Sequence, residues 1–228
     1  FEQVGASPEP GEWVRLPEGV AFRLESGQRW QADLHYVNTS TEPVLVNNVF
    51  DLGLVPIDEV EHIAGTLNMD VGDLQLPPNE ETSLSFACEM PVEINILSLG
   101  AHMHSLGSSF VVQHWRDGDD LGRVLDVQQW DPDFRFVPPG REFASGELIL
   151  LPGDLLQPSC TWFNPFDETV AFPEEMCTTF GVGYPIENSF HCDGGGLLAA
   201  GDGVLELNLS VDGEPAGELV TMPGGEQR

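Results

Sequence analysis

Short stretches of alternating apolar and polar residues, closed by glycine- or proline-containing turns, recur along this chain from residue 20 to residue 222. Period-two alternation lines one face of an extended segment, and it does not give a helix a single apolar face. Residues 20–24 and 30–36 alternate across a turn beginning Glu25-Ser26-Gly27, which is the pattern of a hairpin. Further strands are expected at 44–49, 83–88, 93–99, 109–115, 122–127, 146–151, 156–163 and 178–184. Two more, 205–211 and 218–222, flank a turn containing Asp212-Gly213-Glu214-Pro215. The turns Asp117-Gly118-Asp119, Pro138-Pro139-Gly140, Pro152-Gly153-Asp154 and Asp193-Gly194-Gly195-Gly196 keep the strands short. Such spacing is that of an all-β protein, an antiparallel β-sandwich. One short helix is expected around 57–63. The stretch 72–81, with its two prolines and three acids, reads as a connection between structural halves.

Charge removes several functions. The chain has 38 acidic and 8 basic side chains, a net charge of −30, and every basic residue is an arginine. Such a surface repels nucleic acid and anionic membranes. Without lysine there is no P-loop, Schiff-base or lysine-base chemistry. No apolar run approaches the roughly 18 residues of a membrane-spanning helix. With 41% hydrophobic residues and 13 phenylalanines, the chain still has enough apolar material for a core. It opens Phe1-Glu2 without an initiator methionine or a charged-then-apolar leader, as expected of a processed or excised segment.

The four cysteines, Cys88, Cys160, Cys177 and Cys192, form no CxxC pair. An even count in an acidic, processed-looking chain points to two disulfides and an oxidising compartment, secreted or periplasmic. Three connectivities remain open at this point.

The chemistry sits at His102-Met103-His104. On a strand, residues i and i+2 share a face, so the two imidazoles can converge on one metal while Met103 faces away. A third ligand decides which metal is favoured. The other histidines lack partners at ligand spacing: His35 sits inside an alternating segment, and His62, His114 and His191 read as packing or hydrogen-bonded residues. Asp117, Asp119 and Asp120 lack the EF-hand spacing and read as a solvated turn.

His102-Met103-His104-Ser105-Leu106-Gly107 resembles the HxHxxG signature of the copper type II, ascorbate-dependent monooxygenases. Downstream, Pro152-Gly153-Asp154 followed by Cys160, then Glu174-Glu175-Met176-Cys177 and Tyr184-Pro185, resemble further pieces of that family in the same order. Upstream, Pro17-Glu18-Gly19-Val20 and Leu34-His35-Tyr36 resemble the end of its first domain. The resemblance implies that residues 1–62 are the incomplete end of an N-terminal copper domain. Residues 63–228 are then a C-terminal, jelly-roll-like copper sandwich with an extra C-terminal hairpin.

Carried onto this chain, the family's O2-activating copper has His102, His104 and Met176 as ligands. Read alone, Met176 is a core side chain. With two imidazoles its soft thioether favours Cu(I) and leaves a position open. The implied disulfides are Cys160–Cys177, which would tether the segment carrying Met176, and Cys88–Cys192. His35 resembles the last of three histidines around the family's electron-donating copper. The pair that should precede it is absent from this sequence, so that second copper site is expected to be incomplete. The amidating branch anchors a peptide carboxylate with an arginine two residues before HxH and an aromatic hydroxyl beyond EMC. Here those positions hold Gly100 and Phe180, which argues against peptide amidation.

The implied function is copper- and O2-dependent C–H hydroxylation of a small organic substrate with an ascorbate-type reductant, within a longer protein that supplies the N-terminal part. A non-catalytic copper-binding or interaction sandwich of the same descent is the alternative, and a purely structural secreted domain is the third reading.

Overall fold

The computed structural model describes residues 15–24, 26–27, 38–47, 49, 51–186, 189–194, 208–211 and 214–215. In chain order the strands begin β1 Val20–Phe22, β2 His62–Asp70, β3 Gln75–Leu76, β4 Glu80–Ser85, β5 Cys88–Glu89 and β6 Ile94–His102. Next come β7 Gly107–Arg116, β8 Asp119–Val127, β9 Gly140–Glu142, β10 Leu148–Leu150 and β11 Leu155–Asn164. The last are β12 Val170–Ala171, β13 Thr178–Tyr184, β14 Phe190–Asp193, β15 Asn208–Val211 and β16 Glu214–Pro215. The helical content described is two 3-10 turns, Ile57–Glu59 and Pro132–Arg135.

These strands form an all-β sandwich. One sheet runs β10-β6-β13-β2-β14-β15-β16, with β1 beside β2 and β9 beside β6; a second runs β4-β11-β7-β8, with β5 beside β11; β3 and β12 pair separately as a two-stranded sheet. In the first sheet β13 pairs antiparallel with both β6 and β2, whereas β1 and β14 run parallel to β2. Alternation fills the space between the sheets. Leu67 and Met69 of β2, with Ile94 and Ile96 of β6, share one core with Phe110 and Val112 of β7 and Trp162 of β11. Removing such a side chain from water contributes roughly 1.5–3 kcal/mol before entropy is counted. Two disulfides, Cys88–Cys192 and Cys160–Cys177, lie in the same core and join the second sheet to the first, at Cα separations of 6.0 and 6.1 Å.

Several local expectations need correction. Strand β2, central to the first sheet, was not anticipated, because its Ala64, Gly65, Thr66 and Asn68 dilute the β-former signal. Residues 44–47 form no strand. Their apolar side chains stand exposed, Leu45 at 97%, with no neighbouring edge described for them. The helix expected at 57–63 is one 3-10 turn, and the chain is already extended at His62. The stretch 72–81 leads from β2 in one sheet to β4 in the other and carries β3 on the way. Strand 30–36, the expected partner of β1, and strand 218–222 lie outside the described residues. β15 instead precedes the two-residue β16.

Candidate metal centre at the end of β6

β6 and β13 pair in antiparallel register, and His102 stands opposite Thr178 at the end of the ladder. In an antiparallel pair, the chain leaving one strand and the chain entering the other emerge at the same end. His104, two residues past His102, and Met176, two residues before Thr178, are therefore delivered to one edge of the sandwich. Met103 between the histidines is fully buried in the core, so the imidazoles point away from it. Their ring centroids are 5.1 Å apart and nearly perpendicular, at 82°. Burial, reinforced by repulsion from His104, pushes the His102 pKa down to about 4. At neutral pH His102 is thus a neutral imidazole, the form a metal binds.

The expectation that both histidines lie on a strand needs adjustment, since β6 stops at His102. His104 is held by other means. Its backbone N–H donates to Glu175 Oε2 at 2.9 Å, and its carbonyl accepts from Trp130 Nε1 at 2.8 Å. Its Nδ1 lies 2.8 Å from the Glu174 carbonyl. A carbonyl only accepts, so Nδ1 carries the proton and Nε2 keeps the lone pair. The other Glu175 oxygen, Oε1, accepts the Leu106 N–H at 2.6 Å. The glycine of HxHxxG has a steric reason: a Cβ at Gly107 would fall 2.6 Å from Met103 Cε and 2.8 Å from Trp130 Cδ1.

On the Met176 side, the next residue is Cys177, bridged to Cys160 on β11. Met176 itself is half-buried. The hydroxyl of Thr178, opposite His102, is buried and has no hydrogen-bond partner. Two imidazoles and a thioether at one strand end fit a bound soft metal ion better than a closed zinc cage. Among the described residues, no group of three His, Cys, Asp or Glu side chains is placed to hold a metal.

A groove of ≈ 410 Å³ starts two residues before His102 and is lined by Ser98, Leu99, Gly100, Pro138, Gly140, Arg141, Glu142 and Phe180. Gly100 and His102 share a face of β6 by the strand's period of two, so groove and imidazole lie on the same side.

The remaining histidines do other work. His62 stacks on Tyr184 at 5.1 Å, and exposed His191 lies 2.9 Å from Asp70. His114 is buried 2.8 Å from Asp154. His35 lies outside the described residues. Sequence reasoning gave no role to Glu175, Trp130 or Thr178. Glu175 had a usable signal, its place directly before Met176, but one glutamate among 38 acids reads as solvated surface.

Fold and bridging together define a class: a disulfide-stapled all-β sandwich with paired imidazoles at a strand end. The C-terminal domain of the copper type II ascorbate-dependent monooxygenases matches residues 62–195, and the chain belongs to that family. It is 29% identical over 97 residues to "MOXD1 homolog 1" of Drosophila melanogaster, covering 40% of this chain and 13% of that protein. It is 25% identical over 114 residues to "DBH-like monooxygenase protein 1" of Mus musculus, covering 47% of this chain and 18% of that protein. The matched stretch is therefore under a fifth of either relative. Copper is the family's cofactor, with O2 and ascorbate as its general co-reactants, and two disulfides fit an oxidising compartment.

Proposed function

We propose that this chain is the copper-binding domain of a longer, exported monooxygenase, with His102, His104 and Met176 as its copper ligands. The observation that carries the reading is the fixed tautomer of His104: with Nδ1 committed to the Glu174 carbonyl, Nε2 is the ring's remaining donor. His102, neutral down to about pH 4, needs no deprotonation to join it. When bound, copper supplies the activation of O2 for C–H hydroxylation, using electrons from an ascorbate-type reductant. The groove beside His102 receives a small organic substrate. Gly100 and Phe180 offer it neither charge nor hydroxyl, and the groove's one arginine, Arg141, is paired with Glu147, so the two anchors of the amidating branch are not reproduced at those positions.

Residues 1–62 we assign to the end of a preceding domain and 63–228 to this one, although β1 of the first stretch pairs parallel with β2 and Val20 packs with Ala64, Leu97 and Tyr184 of the second. Support comes from the apolar side chains of Leu45, Val49, Leu54 and Ile57, which are exposed as they would be on a segment that packs against another unit. His35 is then one ligand of the family's other copper site, completed by residues outside this sequence.

The test is an anaerobic Cu(I) titration against a competing chelator. One tightly bound equivalent is expected, weakened by more than about a hundredfold in Met176→Ala and in His104→Ala, since even residues that only support a metal's ligands cost 10–100-fold. Absence of Cu(I) binding overturns the reading. The alternative is a copper-binding sandwich without turnover; Gly100 and Phe180, standing where the amidating branch has an arginine and an aromatic hydroxyl, favour it. Ascorbate-driven O2 uptake with a hydroxylated product, measured on the longer protein, decides against that alternative.

A further inference from the structure

We propose that Glu175 is a positioning residue that assembles the centre before any metal arrives, an inference that rests on the ligand set above. The Glu175 carboxylate is 1% exposed, and among the described residues no cation pairs with it. A buried carboxylate without a counter-ion is costly, and its remedy is a set of hydrogen-bond donors. Here the donors are backbone groups of the distant histidine segment: the N–H of His104 on Oε2 and the N–H of Leu106 on Oε1, about 70 residues away in sequence. The N–H of Met176 approaches Oε2 at 3.4 Å.

These bonds replace what the ladder cannot supply. β6 ends at His102, so no strand partner fixes the backbone of His104. Glu175 holds its N–H, Trp130 holds its carbonyl, and the Glu174 carbonyl holds its ring. Four consecutive residues therefore carry four tasks. Glu174 orients an imidazole, Glu175 clamps the histidine backbone, Met176 offers the thioether, and Cys177 ties the segment to β11. A displacement of His104 is transmitted to Met176 through one side chain. A centre built this way has its geometry in the metal-free protein, and copper need not create it.

Glutamine at 175 keeps the size and one acceptor, but it turns an NH2 toward the second N–H. Glu175→Gln therefore loosens the clamp with little change of volume. Amide hydrogen exchange on the metal-free protein is the first measurement. In the wild type, the His104 and Leu106 amides are expected to be protected like those of the β6 ladder, although they lie in a turn. In Glu175→Gln both should exchange about tenfold faster or more, while amides of β7 and β11 stay unchanged. The second measurement is Cu(I) affinity with X-ray absorption at the copper edge. Glu175→Gln should bind about 10–100-fold more weakly and lose sulfur scattering.

Free exchange of the two amides in the wild type overturns the proposal, whether or not the variant folds. Unchanged protection in a folded Glu175→Gln overturns it as well. Trp130→Phe, which keeps an aromatic side chain but replaces the indole and its N–H by a smaller ring, tests the same hold on His104 from the carbonyl side and should weaken Cu(I) in the same direction; an unchanged affinity counts against the clamp. If the wild type binds no Cu(I) but both amides are protected, the ligand assignment fails while the clamp stands.

Discussion

The ring of Phe180 lies across Gly100, its cross-strand partner in the β6–β13 ladder, so closely that a Cβ on the glycine would fall 2.4 Å from the ring's Cζ. Glycine leaves a gap in the pleat, and the aromatic ring fills it, forming the groove wall nearest His102. Any side chain at 100 must displace that ring. Gly100→Ala should cost about 1–3 kcal/mol, the usual penalty for overpacking. In a Phe180→Ala background the same change should cost less than about 0.5 kcal/mol, because the obstruction is gone. Urea denaturation of the four proteins closes the cycle, and additive costs would show that the two residues do not share the space.

Asp154, at the turn entering β11, is a buried carboxylate with four side-chain hydrogen-bond contacts. Burial by itself would raise its pKa. A two-point Arg116 contact at 2.7 Å, the Leu151 N–H at 2.9 Å and His114 at 2.8 Å outweigh that and hold the carboxyl well below the usual carboxylate range. A depressed carboxylate contributes stability that is present above its unfolded pKa near 3.9 and is lost as pH falls through the folded value. Asp154→Asn should therefore destabilise by about 3 kcal/mol at pH 7, given 1.5–3 kcal/mol per hydrogen bond to a charged group. The gap between variant and wild type should persist to about pH 4 and shrink below it. A gap that instead closes between pH 7 and 5 would assign the stability to some other group.

His102 supplies a second pH signature with a different window. Its folded pKa of about 4 lies below the unfolded value of about 6.5, so the folded state favours the neutral ring. That contribution is complete above pH 6.5 and declines as pH falls toward 4. The metal-free wild type should lose stability over this interval relative to His102→Gln, which has nothing to titrate there. Thermal unfolding of both proteins in chelator from pH 7.5 to 4 checks it. Parallel curves would mean that the imbalance in proton uptake is absent.

Legibility in the sequence followed physical locality. β7 and β8 were readable because their alternation and the Asp117-Gly118 turn between them are contiguous, with both turn residues at positive φ. β2 was not, since its strand character comes from lying between β13 and β14 and not from its own residues. The HxHxxG and EMC pieces were visible as strings, and the register of β6 against β13 gives a reason for their convergence. What no string revealed is the set of contacts supporting His104. Glu175 and Trp130 become partners only when chain segments far apart in sequence meet, and each alone looks like an ordinary surface acid or core aromatic. Residues 44–47 failed in the opposite sense: their composition suits a strand, but a strand needs a neighbour.

The two disulfides separate stability from metal affinity. Cys88–Cys192 spans 104 residues and Cys160–Cys177 spans 17, so in the chain-entropy view their removal costs about 5 and about 3 kcal/mol. On loop length alone, the Cys88→Ala/Cys192→Ala protein should be the weaker in urea. Cu(I) affinity should rank the other way. Cys177 follows Met176 directly and anchors it to β11, beside β7, which starts at Gly107 of the histidine motif. Cys192 sits on β14, separated from β6 by both β13 and β2. Removing the short bridge frees the thioether segment on one side and leaves the Glu174 and Glu175 contacts on the other. Cys160→Ala/Cys177→Ala should then keep more of its fold and bind Cu(I) about tenfold or more weakly, as expected when ligand support is lost. Equal affinity losses in the two proteins, measured well below their unfolding midpoints, would show that the short bridge acts through stability alone.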